Sequence, residues 1–375
     1  MAESDRCTGA DGTESSLQSL CRSNKGQGCR EEETRNKGRR MNRRGLQTAI
    51  LLIALLTLVS WSDGAKTNRP YFGARLEPPD GRVITGAGQT PEGFKDYYEA
   101  IGTNKPVVYM TYMRLNLANI TERFVKLKAE LEKYPQTFLI PQIGLGMNHS
   151  GKNPQHYADK VVAGKFDAQL DQFCAGLKDL DRPAFIRIGY EFNGSWNGYE
   201  PESYKAAFRY VTAKIRKAGL ENVATVWCLG GAGSMDYMPF YPGDDVVDWW
   251  AVDLFSAGIM TKKGIQEFMA ASLKHGKPVM IGESAPKGKR LAVANKAWDE
   301  WFVPYFQFIN RYKNVKAFCY INQDWDSIGK WKGWGDSRLS QNAEILKKFQ
   351  EQIGSAKFLH GADREQTLKA LHAKE

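Results

Sequence analysis

Two short runs hold the side chains best suited to chemistry. In Arg187-Ile-Gly-Tyr-Glu191-Phe-Asn193-Gly-Ser-Trp196 an apolar strand pattern ends on a glutamate, and an amide and an indole follow. In Pro278-Val-Met-Ile-Gly-Glu283-Ser-Ala-Pro286 a second apolar pattern ends on a second glutamate, 92 positions later (283 − 191). Singly, each glutamate serves as well in a salt bridge as in a reaction, and Arg187 stands ready for the first. Together they form the equipment for cleaving an acetal. One carboxylate attacks the anomeric carbon; the other protonates the departing oxygen and then activates water, with the carboxyls about 5–5.5 Å apart. The acid must keep its proton near neutral pH while the nucleophile stays ionised, so the two need unlike surroundings. An arginine reaching the same place favours an ionised neighbour. The expectation is Glu191 as acid/base and Glu283 as nucleophile.

Other residues are candidates for holding a hydroxyl-rich ligand. Asn193 and Trp196 follow Glu191 on a polar, aromatic loop, and Arg187 precedes it on the strand. His149 follows the third strand, and Asp253 and Asn322 lie at strand ends, where they could bind hydroxyls or simply cap helices. Trp227 sits within the fifth strand and lines either the mouth or the interior. Trp325 follows the eighth, as a sugar platform or as a core residue. No His/Cys/Asp constellation has metal-ligand spacing, so neither a metal nor a cofactor is expected. No Gly-x-Ser-x-Gly elbow is present for ester chemistry.

These residues need a scaffold that delivers strand ends to one place. Between Tyr71 and Gly354, strand candidates fall at 82–86, 106–112, 137–145, 184–190, 224–229, 249–255, 278–282 and 316–322. Most are apolar on both faces, as strands of a covered parallel sheet should be. Helix-period segments alternate with them at 91–101, 119–134, 166–180, 201–218, 264–275, 292–312 and 341–353. The link 230–243 is rich in Gly and Pro and predicts a loop with at most a short helix. Eight strands with crossovers predict an α/β fold, a single (β/α)8 barrel with its active face at the strand C-termini. An open doubly wound sheet would want a phosphate loop, and Gly86-Ala-Gly88-Gln-Thr90 lacks the full fingerprint.

The flanks read differently. Residues 1–40 are polar and charged without sustained apolar period, an extension that cannot build a core. At 41–65, Met41-Asn-Arg-Arg44, an apolar run from Ala49 to Trp61 and the small residues of Ser62-Asp-Gly64-Ala65 have the three-part layout of a signal peptide. The run is short for a membrane span. Export, secreted or periplasmic, is expected, with anchoring by 49–61 as the alternative. The barrel domain is expected over 66–355 and a polar tail over 356–375, as a docked helix or a frayed end.

Cys174, Cys228 and Cys319 are left in the mature chain, an odd number without metal spacing, and predict buried free thiols. The net charge of +10 is spread without a basic stripe, which argues against nucleic acid as a partner. A monomer acting on carbohydrate is expected, with no stable membrane partner unless the leader stays uncleaved.

Several motifs together resemble glycoside hydrolase family 26. They are Tyr71-Phe-Gly73, Ile188-Gly-Tyr-Glu191-Phe-Asn-Gly-Ser-Trp196-Asn-Gly-Tyr199, Val226-Trp227, Tyr241-Pro-Gly-Asp-Asp245-Val-Val-Asp248-Trp249, Gly282-Glu283, and Ala317-Phe-Cys-Tyr-Ile-Asn322 with Trp325. The resemblance implies a β-mannanase-like retaining glycosidase acting on a β-linked polysaccharide or oligosaccharide of mannan or β-glucan type. It also implies the acid/base on strand four, the nucleophile on strand seven, and no cofactor. Two positions depart from the family pattern. Tyr190 stands where the family usually has His, and Phe255 where it usually has a Tyr that hydrogen-bonds the nucleophile. The departures keep an alternative open: a non-catalytic carbohydrate-binding barrel that retains the cleft.

Overall fold

The computed structural model describes residues 71–149, 152–294 and 296–373. The expectations for 1–40 and for the leader at 41–65 lie outside the described residues. Eight parallel strands follow in chain order: β1 Val83–Gly88, β2 Val108–Arg114, β3 Ile140–Gly146, β4 Ala184–Ile188, β5 Val223–Gly230, β6 Trp249–Leu254, β7 Val279–Ser284 and β8 Val315–Ile321. Each pairs with the next, and β8 returns to β1 in the register Ile84↔Ala317 through Gly88↔Ile321, so the sheet closes. This is a (β/α)8 barrel.

Period-two alternation sorts the side chains of every strand into two shells. Ile84, Met110, Phe185, Val226, Cys228, Trp249, Ala251, Met280 and Cys319 pack inside the barrel. Val83, Tyr109, Ile143, Ile186, Trp227, Trp250, Val252, Ile281 and Phe318 pack outward against the helices. Burial on both faces is why the strands read as nearly continuous apolar runs.

The helices are α1 Pro91–Ala100, α2 Ile120–Leu131, α3 Asp167–Leu180, α4 Pro201–Lys217, α5 Lys263–Lys274, α6 Val303–Arg311 and α7 Ala343–Ile353. Their starts are legible chemistry. Thr90, Asn119 and Asn342 accept from the first free amides of α1, α2 and α7, and proline opens α1 and α4. After β5 only a 3-10 turn, Met238–Phe240, forms. The continuous helix expected over 292–312 is instead a π-helical turn, Trp298–Phe302, that runs into α6. Pro304 contributes no backbone donor at that junction.

Of the two outcomes expected for the stretch after 355, the docked helix is the one that forms. Phe358 pairs with Val83 on the outer edge of β1, and α8, Arg364–Ala370, follows. Phe358, Leu368 and Leu371 are buried, because the barrel floor offers apolar surface that Leu76, Val107 and Leu371 share. Beside it Lys316, fully buried, faces Glu77 at 3.6 Å. The domain therefore runs past 355.

Candidate active site

Arg187 is the centre of the site. It lies on β4, points inward and is wholly buried. Its Nη2 donates to Glu283 Oε1 at 2.6 Å, and its Nη1 donates to Asp253 Oδ2 and Oδ1 at 3.2 and 3.3 Å. Cys228 contributes an S–H to Asp253 at 3.3 Å. One guanidinium from β4 thus spans carboxylates from β6 and β7. A buried cation is tolerable only with such partners.

Glu283 reaches this cation through an irregularity in β7. Val252 pairs with Ile281 and Leu254 with Ser284, so Asp253 alone opposes both Gly282 and Glu283. On the other side Phe318 pairs with Ile281 and Tyr320 with Ser284, leaving Cys319 against the same two residues. The extra residue is a β-bulge. Strict alternation from Met280, which faces inward, and Ile281, which faces outward, would turn Glu283 toward the helices. With the bulge, Gly282 and Glu283 both face inward. Gly282 has to be glycine, since a Cβ there would lie 2.7 Å from Asp253 Oδ1.

Glu191 arrives by a different device. Beyond β4 the chain passes through left-handed backbone at Gly189 (φ 57°) and again at Glu191 itself (φ 52°). For a glutamate this conformation costs roughly 1–2 kcal/mol. Surrounding bonds hold it: Asn197 Nδ2 donates to the carbonyls of Tyr190 and Glu191 at 3.1 and 3.0 Å, and Gly194 N donates to Glu191 O. Trp196 Nε1 donates to Glu191 Oε2 at 2.9 Å, over a glycine at 194 whose Cβ would strike the indole at 2.4 Å.

The environments of the two glutamates differ as their geometry does. Burial, and then the nearby charge of Glu283, push the Glu191 carboxyl up to about 7, against the opposing pull of Trp196 and Arg187. Glu191 is therefore partly protonated at neutral pH. Glu283 lies opposite the guanidinium, 2.6 Å from its Nη2. Burial, reinforced by Glu283, also pushes Asp253 well above the usual carboxylate range. One carboxyl is thus raised by burial while the other is paired with a buried cation.

The other expected ligand-binding residues sit as follows. Arg187 meets the two carboxylates rather than open space. Asn193 donates to the carbonyls of Gly230 and Ser234 at 2.9 and 2.7 Å and accepts from Gly230 N at 2.7 Å; it clamps the loop after β5. Asn322 likewise donates to Gly93 O and Asp96 and accepts from Leu339 N, tying β8 to α1. Asp253 is sealed beneath Arg187. Trp227 packs outward, stacked on Phe192 at 4.5 Å and edge-on to Trp250, so it belongs to the barrel–helix core. Trp325 is 3% exposed with an unpartnered indole N–H. His149 is exposed and meets Asn116 at 3.1 Å. Trp196 serves Glu191 through its N–H.

Sequence reasoning missed Tyr112 and named Tyr190 only as a departure from the family pattern; their rings stand 5.4 Å apart. The Arg187 guanidinium carbon lies 5.7 and 4.9 Å from them. It also missed Trp331 and Trp334, which pack on Trp325. Tyr112 lies in β2 and was legible as a strand-end aromatic; Trp331 and Trp334 followed the eighth strand in plain sight. Cys174, Cys228 and Cys319 are buried free thiols, as expected.

Comparison with known proteins agrees with this geometry. The sequence model of Glycosyl hydrolase family 26 matches residues 147–323. A β-1,3-xylanase, TXYA, from Vibrio sp is 31% identical over 324 residues, covering 76% of this chain and 67% of the relative. A β-1,3-xylanase from Alcaligenes sp is 31% identical over 326 residues, covering 77% and 67%. Among solved structures, the family 26 β-mannanase of Bacteroides ovatus superposes with a TM-score of 0.56 at 17% identity, covering 78% of this chain and 94% of that one. With the barrel, the strand-four and strand-seven glutamates and these relatives in view, the chain belongs to glycosyl hydrolase family 26, a glycoside hydrolase of β-linked polysaccharides.

Proposed function

We propose that the protein hydrolyses β-1,3-xylan with retention of configuration. Glu283 attacks the anomeric carbon as Glu191 passes its proton to the departing oxygen, so the carbon–oxygen bond breaks while a glycosyl ester forms. Glu191, now ionised, takes a proton from water. The resulting attack releases Glu283 and restores both groups. The observation that carries the reading is the pairing of a carboxyl raised to about 7 with a carboxylate held by Arg187 at 2.6 Å, one acid and one nucleophile in a single electrostatic unit.

The choice of xylan rests on the two relatives named β-1,3-xylanases, in place of the mannan or β-glucan that the motifs alone suggested. Two departures from the mannanase-like pattern lie beside this site. Phe255 offers no hydroxyl and packs edge-on to Trp334 at 5.2 Å. Tyr190 puts a phenol ring against the guanidinium where mannanase-like sequences carry an imidazole. We also propose that 41–65 directs export, which N-terminal sequencing of the secreted protein checks.

The test is incubation with β-1,3-xylan, β-1,4-xylan and β-1,4-mannan, following reducing ends and the first-formed anomer by proton NMR. Release from β-1,3-xylan with the β-anomer formed first is expected. An α-anomer formed first overturns the mechanism, and release from mannan alone overturns the substrate. Binding without release, unchanged in Glu283→Ala, identifies a non-catalytic carbohydrate-binding barrel.

A further inference from the structure

The rim of the mouth beside β7 and β8 is built from lysine and tryptophan. Lys287 follows β7, and Lys330, Trp331, Lys332 and Trp334 follow β8. The Lys287 ammonium lies 4.1 Å from the Trp334 ring centre, and that of Lys330 5.2 Å from Trp331. The two indoles stand 4.8 Å apart, and Trp334 packs on Phe255. Gly288 N donates to Trp334 O at 2.7 Å, which ties the two loops together beside the strand end that presents Glu283.

The charge on this rim is unbalanced. Asp326 is taken by Arg290 at 2.6 Å and by the amides of Gly333 and Gly335. Glu300 is taken by Lys289, and Asp336 and Asp324 by Arg338. Lys287, Lys330 and Lys332 are exposed, and among the described residues none of them has an ion pair with a carboxylate. An indole face under an ammonium is partial compensation, and an anion arriving in the plane of the rim completes it. Indoles also accept the C–H face of a sugar ring, because their large apolar surface is released from water on stacking.

We propose that this rim recognises an anionic substituent on the sugar chain, so that the preferred polysaccharide carries carboxylate or sulfate groups. The proposal rests on the β-xylan reading above. The rings stack on the backbone sugar while the three ammonium groups pair with the substituent and draw an acidic polymer toward the mouth.

The test uses three matched polymers: β-1,3-xylan unmodified, lightly carboxymethylated and lightly sulfated. In about 20 mM salt the kcat/KM on an acidic polymer should exceed that on the unmodified one by about fivefold, and the advantage should fade at about 200 mM salt as screening sets in. A gain with one acidic polymer alone identifies carboxylate or sulfate as the source. The triple variant Lys287→Gln, Lys330→Gln, Lys332→Gln should lose the advantage yet still cleave unmodified xylan. Equal rates on all three polymers overturn the proposal. So does a single-stranded oligonucleotide that inhibits as strongly as the acidic polymers do, which would mark a general polyanion patch. If unmodified xylan is not cleaved at all, the xylan reading fails by itself. The rim is then tested by affinity electrophoresis of Glu283→Gln on the same polymers, where lack of preference for the acidic ones overturns it.

Discussion

The ends of β4 and β7 present the same side chain by opposite means. Beyond β4, two left-handed residues swing Glu191 into place, and its carboxyl receives an indole N–H but, among the described residues, no direct cation. In β7 an extra residue turns Glu283 inward, straight onto a buried guanidinium. Identical carboxyl groups are thereby separated in character by what lies within a hydrogen bond of each. Residue type supplies the carboxyl; the few ångströms around it set its charge and its partners.

Removing the β7 partner breaks this contrast most severely. Glu283→Gln should lower turnover by roughly four orders of magnitude or more, as expected for loss of a nucleophile. It should also bring the Glu191 pKa down from about 7, because the Glu283 charge helps to raise it. Carbon NMR titration of the Glu191 carboxyl checks the second effect. Arg187→Met tests the other half of the contrast. It leaves Asp253 and Glu283 buried without their cation and should cost about 3–5 kcal/mol of stability, seen in urea unfolding, along with nearly all activity.

The contrast also predicts pH behaviour. In free enzyme the acid must be protonated, so kcat/KM should fall as pH rises through about 7. Trp196→Phe removes a donor that favours the ionised form. It should move that alkaline limb upward and lower turnover by about tenfold; a limb that stays in place would break the link between Trp196 and Glu191.

The smallest effect is on stability. The folded-state pKa of Glu191 lies above its ordinary value of 4.5, so between 4.5 and about 7 the native state holds a proton that the unfolded chain has released. Stability therefore falls as pH rises through that window. Glu191→Gln abolishes the penalty and should raise the melting temperature relative to the native enzyme more at pH about 8 than at pH about 5. Calorimetry at both values decides.

Much of this was legible because the barrel writes its strands as apolar runs and its helix starts as Thr90, Asn119, Pro91 and Pro201. Both glutamates stood out because charge ends an apolar run in each case. The bulge was not legible: nothing in Val-Met-Ile-Gly-Glu says that Gly282 and Glu283 share a face, and strict alternation gives the opposite answer. Asn193 looked like a ligand for hydroxyls because the partners that consume it, Gly230 and Ser234, are remote in sequence. Trp227 was decidable in principle. With Val226 and Cys228 both inside the barrel, the residue between them must point outward. For 356–373 the choice between a docked helix and a frayed end stayed open, because Phe358, Leu368 and Leu371 are sparse among polar neighbours and gain meaning only against the rest of the barrel.

The additional residue in β7 makes this catalyst easy to silence by subtraction. Deleting Gly282 would restore the regular pleat and draw Glu283 back into the slot that the glycine holds, where a Cβ lies 2.7 Å from Asp253 Oδ1 and the carboxyl no longer reaches its present place. Every functional letter would still be spelled in the protein, in the right order, and a descendant carrying that deletion would pass for an enzyme on paper while only holding its sugar.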